Sequence, residues 1–300
     1  MVRLGGQDPS GNFLDRTGRG GMGFGGGRGG GLGGVGLGLL MHFVGRRFGI
    51  VGILVLLLGF CALSTFGTGG LLTEGGGGQQ RLESPGGQSR LDPHLRDFLP
   101  RVLGSTEAVW NDIFAAAGTR YRPTTMVAYS NYDQSGCGAA QAAMGPFYCP
   151  SDQRIYIDPT FFTELSTRFG APGDFAMAYV IAHEVGHHVQ NLEGTLARVQ
   201  RAQQRAGRGQ GNAMQVAVEL QADCYAGVWA ARARDSQGSI LEPGDLEEGM
   251  RAAEAIGDDT LQRRTQGRVV PESFTHGTAA QRQAALRRGF DSGDPASCVF

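Results

Sequence analysis

Apolar positions recur at two spacings along this chain, and one stretch has no polar spacing at all. From Phe48 to Phe66, nineteen residues pass without a charge (FGIVGILVLLLGFCALSTF), about the length a helix needs to cross a hydrocarbon core. Beyond the linker that follows, Leu95, Phe98, Leu99, Val102, Leu103, Val109, Trp110, Ile113 and Phe114 return mostly at three- and four-residue intervals. That pattern predicts an amphipathic helix bent around Pro100. Between about Thr125 and Asp158 the period shortens. Met126–Tyr129, Phe147–Cys149 and Arg154–Ile157 are short β-prone runs broken by Gly, Pro and Asp, and they predict a small antiparallel sheet. From Pro159 to Gly289 only helices are expected, chiefly about Asp174–Leu192, closed by Gly194, and about Asn212–Arg232. Thr278 with Gln281 forms a capping-box pattern for a last helix stopped by Gly289. The class expected is α+β, mostly α.

Composition divides the chain further. Of 51 glycines in 300 residues, 30 fall in residues 1–90, and 13 fall in the 19 residues from Gly20 to Gly38. Glycine loses the most freedom on ordering and brings no side chain to bury, so residues 1–47 are expected to be a disordered Gly/Arg-rich segment. Residues 48–66 are then a transmembrane helix, 67–90 a flexible Gly/Ser/Gln-rich linker, and 91–300 the folded domain, long enough for one substantial core. Arg46 and Arg47 stand immediately before the apolar run, and no basic residue follows until Arg81. The charge bias places the N-terminus in the cytoplasm and the folded domain in the periplasm or outside the cell, on a single-pass anchor in the inner or plasma membrane.

The net charge of −1 excludes a nucleic-acid partner held by whole-chain electrostatics. Of five cysteines, Cys61 lies in the apolar run. The other four suggest disulfides in an oxidising compartment: Cys137 with Cys149 across a short loop, and Cys224 with Cys298 pinning the tail to a central helix.

Chemistry concentrates in His183-Glu184-Val185-Gly186-His187. Residues i and i+4 share a helical face, so both imidazoles reach one metal ion, and Glu184 sits one position round, near a metal-bound water. The flanking Val180, Ile181, Ala182, Val185 and Val189 make this helix apolar nearly all round, and buried polar groups there need partners. A catalytic zinc takes three protein ligands and leaves one position open. Glu219, 32 residues after His187, heads an ExxxD in which Asp223 shares its face; Glu219 is the candidate third ligand, and Asp223 the acceptor of the free N–H of His183. His188 points about 100° away from its neighbour and is expected to be packed or hydrogen-bonded. Glu184 would act as general base, and His276 is the candidate donor to a developing oxyanion. Arg154–Ile157 is a candidate edge strand for an extended peptide.

With these residues in view, the chain resembles the bacterial neutral zinc metallopeptidases, single-pass membrane proteins with a glycine-rich N-terminus. The resemblance runs from about residue 90 to the end, on GCG at 136–138, YCPSDQRIYID at 148–158, AHEVGHHVQN at 182–191, ELQADCYAG at 219–227, SFTHGTAAQR at 273–282 and the closing GDPASCVF. It implies a zincin-like fold and a Zn2+-dependent, gluzincin-type peptidase acting on peptide or protein substrates, with His183, Glu184, His187 and Glu219 in the roles above. The competing readings are a membrane-anchored scaffold with a closed structural zinc site, which His188 or a cysteine would complete, and a hydrolase of non-peptide amides of the cell envelope.

Overall fold

A computed structural model describes residues 2–18 and 88–300 of the chain. The apolar run 48–66, the segment 19–47 and linker residues 67–87 lie outside them. Among the described residues no helix is long and apolar enough to cross a membrane.

The domain is mostly helical with small sheets. Helix α1 (Pro93–Ala116) starts where Asp92 accepts from the His94 amide and Pro93 takes the first turn, a position that has no partner for an N–H in any case. Strand β1 (Phe13–Asp15) precedes it, and β2 (Thr125–Ala128), the hairpin β3 (Tyr132–Ser135) and β4 (Gly138–Gln141), β5 (Phe147–Cys149) and β6 (Arg154–Ile157) follow it in chain order. Next come α2 (Thr160–Thr167), α3 (Asp174–Leu192), α4 (Thr195–Gln203) and α5 (Arg208–Arg232). A two-residue ladder of β7 (Arg234–Asp235) and β8 (Gly238–Ser239) precedes α6 (Asp245–Ala255), α7 (Asp258–Gln266) and α8 (Ala279–Ser292).

Three expectations are corrected here. The main sheet runs β1-β2-β6-β5 and is mixed: β1 and β6 flank β2 in parallel, and only β5 is antiparallel to its neighbour. Parallel neighbours need a crossover, which the β3–β4 hairpin and its return loop supply; local periodicity cannot show such a pairing. As a result Arg154–Ile157 is an inner strand, and β5 is the edge. Secondly, residues 2–18 are ordered. Val2 and Leu4 are buried in the main core, β1 pairs with β2, and Gly104 of α1 lies so close to the Asp8 carbonyl that a Cβ there would overlap it. The dense glycine run, Gly20 to Gly38, starts only after this segment, so the average over residues 1–47 hid it. Thirdly, α8 passes through Gly289 and ends at Ser292, with Gly293 left-handed at its C-cap. Gly289 is instead a contact: a Cβ on it would overlap the Cys224 carbonyl of α5, and one on Gly227 would overlap the Leu286 carbonyl of α8. The Thr278–Gln281 capping box is present, as are disulfides Cys137–Cys149 and Cys224–Cys298. Helix α3 has the bounds expected, whereas α5 begins four residues earlier than the pattern suggested.

Candidate metal centre

Helices α3 and α5 meet in the middle of the domain, and the sequence explains how closely. Gly186, inside the HExxH run, faces α5 so tightly that a Cβ would stand 2.9 Å from the Ala222 carbonyl oxygen. This approach carries His183 and His187 to Glu219. His183 Nε2 lies 3.2 Å and His187 Nε2 3.5 Å from Glu219 Oε2, and the two rings stand edge to face with centroids 4.7 Å apart. One ligand atom from each of the three residues falls within 4.8 Å of the others, and His183 and Glu219 are buried. Among the described residues, these three alone form such a group.

The far nitrogen of each ring is already engaged. His183 Nδ1 is 2.7 Å from Asp223 Oδ1. That carboxylate also accepts from Tyr179 Oη at 2.6 Å and, in a two-point contact, from Arg282 at 2.8 and 2.9 Å. Asp223 and Arg282 are almost wholly buried. Burial by itself raises the Asp223 pKa, but the charges of Arg282 and His183 outweigh it and hold the carboxyl at about 2. His187 Nδ1 meets Gln190 Oε1 at 2.9 Å, and the Gln190 amide donates to the Val218 carbonyl at 2.7 Å. Both Nδ1 atoms therefore donate to an acceptor behind the ring, which turns both Nε2 atoms toward Glu219, the orientation that metal ligation requires. With no cation among them, burial opposes charge on His183, and the Asp223 and Glu219 carboxylates outweigh it, taking the ring to about 10. His187 is also raised; burial again opposes, and Glu219 prevails. Two imidazoles and a carboxylate with both back nitrogens bonded are a donor set that fits zinc, which would take the place of protons.

A cleft of about 860 Å³ opens over the triad. Glu184, His276, Phe147 and Tyr148 of edge strand β5, and Leu196 of α4 share its wall. His276 is held from behind: Asp258, the first residue of α7, accepts from the amides of Thr275, His276 and Gly277 at 2.7, 2.6 and 3.1 Å and lies 3.3 Å from His276 Nδ1. Burial opposes charge on His276, but Asp258 and Glu219 raise its pKa. His188 lies away from the cleft as expected, fully buried. Its Nε2 is 2.6 Å from the Arg122 carbonyl and its Nδ1 is 3.0 Å from Tyr148 Oη. A carbonyl only accepts, so Nε2 donates and Nδ1 receives the tyrosine hydroxyl.

Sequence reasoning missed Tyr179, Gln190, Asp258 and Arg282. Tyr179 and Gln190 lie four residues before His183 and three after His187, on the faces those rings occupy, and helical spacing was the signal available. Asp258 and Arg282 reach the site from remote elements, and no local pattern marks them.

The whole described structure, including residues 2–18, falls within the match to a family described as "Putative neutral zinc metallopeptidase", which spans residues 2–300. The chain belongs to that family. Among its relatives, the uncharacterized protein YpfJ of Escherichia coli K12 is 52% identical over 201 residues, 67% of this chain and 69% of the relative. The uncharacterized protein Rv2575 of Mycobacterium tuberculosis H37Rv is 47% identical over 204 residues, 65% and 66% of the two chains. No solved structure matches the chain. The family makes a zinc-dependent hydrolase plausible, and His183, His187 and Glu219 are the residues that can hold the ion.

Proposed function

We propose that this protein is a membrane-tethered zinc endopeptidase. The observation that carries the reading is the wide cleft over a three-ligand centre, with Glu184 beside the ligands and His276 in the same wall. A bound zinc ion supplies Lewis acidity, acidifying water and polarising a carbonyl. The Glu184 carboxylate takes the proton of the attacking water and passes it to the leaving amine. His276, its Nδ1 fixed on Asp258, donates from its other nitrogen to the oxygen that gains charge. Strand β5, at the sheet edge and on the cleft wall, is the place for an extended peptide to pair. The features that would favour a closed structural site are engaged elsewhere: His188 is held by Arg122 and Tyr148, and the four outer cysteines form disulfides. Those disulfides support an oxidising compartment for the domain, and the run 48–66 supports a membrane anchor.

Glu184→Gln retains stoichiometric zinc and loses peptide cleavage by at least about a hundredfold, read on a random peptide library with metal analysis of the same sample. Cleavage by that variant at the parental rate would falsify the mechanism. His276→Ala lowers kcat by about a hundredfold while zinc content stays complete.

A further inference from the structure

We infer that residues 2–18 and 88–300 lie on one side of the membrane as parts of a single fold, so the stretch 48–66 is not a lone crossing that separates them. This inference is independent of the peptidase reading.

The contacts are extensive for so short a segment. β1 forms the outer strand beside β2, where Met126 N donates to Asn12 O at 2.9 Å and Arg16 N to Ala128 O at 2.7 Å. Arg3 N reaches the Ile240 carbonyl at 2.8 Å and Ser10 N the Pro100 carbonyl at 2.9 Å, so the segment touches three separate parts of the domain. Ser10 and Asn12 side chains both bond Glu107 of α1, at 2.7 and 2.8 Å. The two ends of the interposed chain also meet: the Arg90 amide donates to Thr17 Oγ1 at 2.9 Å, and Thr17 is buried. A single crossing between Thr17 and Arg90 would put these partners in different compartments, leaving β2 an open edge and Val2 and Leu4 out of the core. The cytoplasmic N-terminus suggested by Arg46 and Arg47 conflicts with this arrangement.

The test uses the full chain in its membrane. Gly5 and Gly209 are exposed, and nothing lies within 4 Å of a Cβ at either; each is replaced singly, Gly5→Cys and Gly209→Cys. A membrane-impermeant maleimide is applied to intact and then to opened cells. Both sites take label under the same condition if the inference holds; label on opposite faces overturns it. As a second measurement, deleting residues 2–17 removes the acceptor of the Met126 amide, whose hydrogen exchange then speeds up about tenfold or more. Unchanged exchange there means β1 is not paired in the membrane-bound protein, and the inference falls.

Discussion

The two rings that face Glu219 are backed by different chemistry. Behind His183 stands a buried ionic group: Asp223, gripped by Arg282 and by the Tyr179 hydroxyl. Behind His187 stands a neutral amide, Gln190, itself tied to the backbone of α5. A carboxylate partner makes an imidazole a stronger ligand, whereas an amide fixes the ring without adding charge. The difference shows how one site divides two jobs. The His183 side sets ligand strength and depends on Arg282, 99 residues away in sequence; the His187 side sets orientation through Gln190, one turn away.

The largest effect should come from Asp223→Ala. It leaves Arg282, 2% exposed, without its counter-charge, and loss of one partner of a buried pair costs about 3–5 kcal/mol. Urea unfolding measures it, and a loss under about 1 kcal/mol would mean the pair is not buried as described. Asp223→Asn keeps the shape and removes the charge, so zinc affinity falls about 10–100-fold in chelator competition. An acid titration sharpens the contrast. Asp223 is held at about 2, below its unfolded value of 3.8, so its contribution is present above about pH 4 and is lost as pH falls through 2. The shift corresponds to on the order of 2 kcal/mol. The parent's urea midpoint should slope downward with falling pH across that window, and Asp223→Asn should flatten the slope; equal slopes would remove the ionic account. Gln190→Met should have the smallest effect, weakening zinc by no more than about tenfold. If it weakens zinc as much as Asp223→Asn does, the proposed division between the two sides disappears.

How far the sequence discloses this site depends on the distance between partners. HExxH and ExxxD are local repeats on helical faces, so His183, His187, Glu219 and Asp223 were legible, and the capping box gave the start of α8. Arg282 sat inside a quoted motif without a role, because its partner is set by how α8 packs on α5. Asp258 was unread for the same reason. The order of the sheet was also hidden: β2 and β6 are 29 residues apart in register, and neither strand's alternation names its neighbour. Residues 2–18 were lost to averaging with the glycine-rich stretch that follows. Gly289 shows the reverse error, since a residue read as a terminator by its identity is a spacer by its surroundings.

That spacer has reach. Gly289 and Arg282 are seven residues apart on α8, about two turns and 10 Å along one stripe. The backbones of α8 and α5 touch where Gly289 has no side chain, and the guanidinium on the same stripe meets Asp223. A single methyl group at the crossing would act as a wedge, tilting the rod and drawing the cation away from its anion. The pose of an imidazole in the cleft is thus calibrated partly by an atom that evolution left out at the opposite end of the helix.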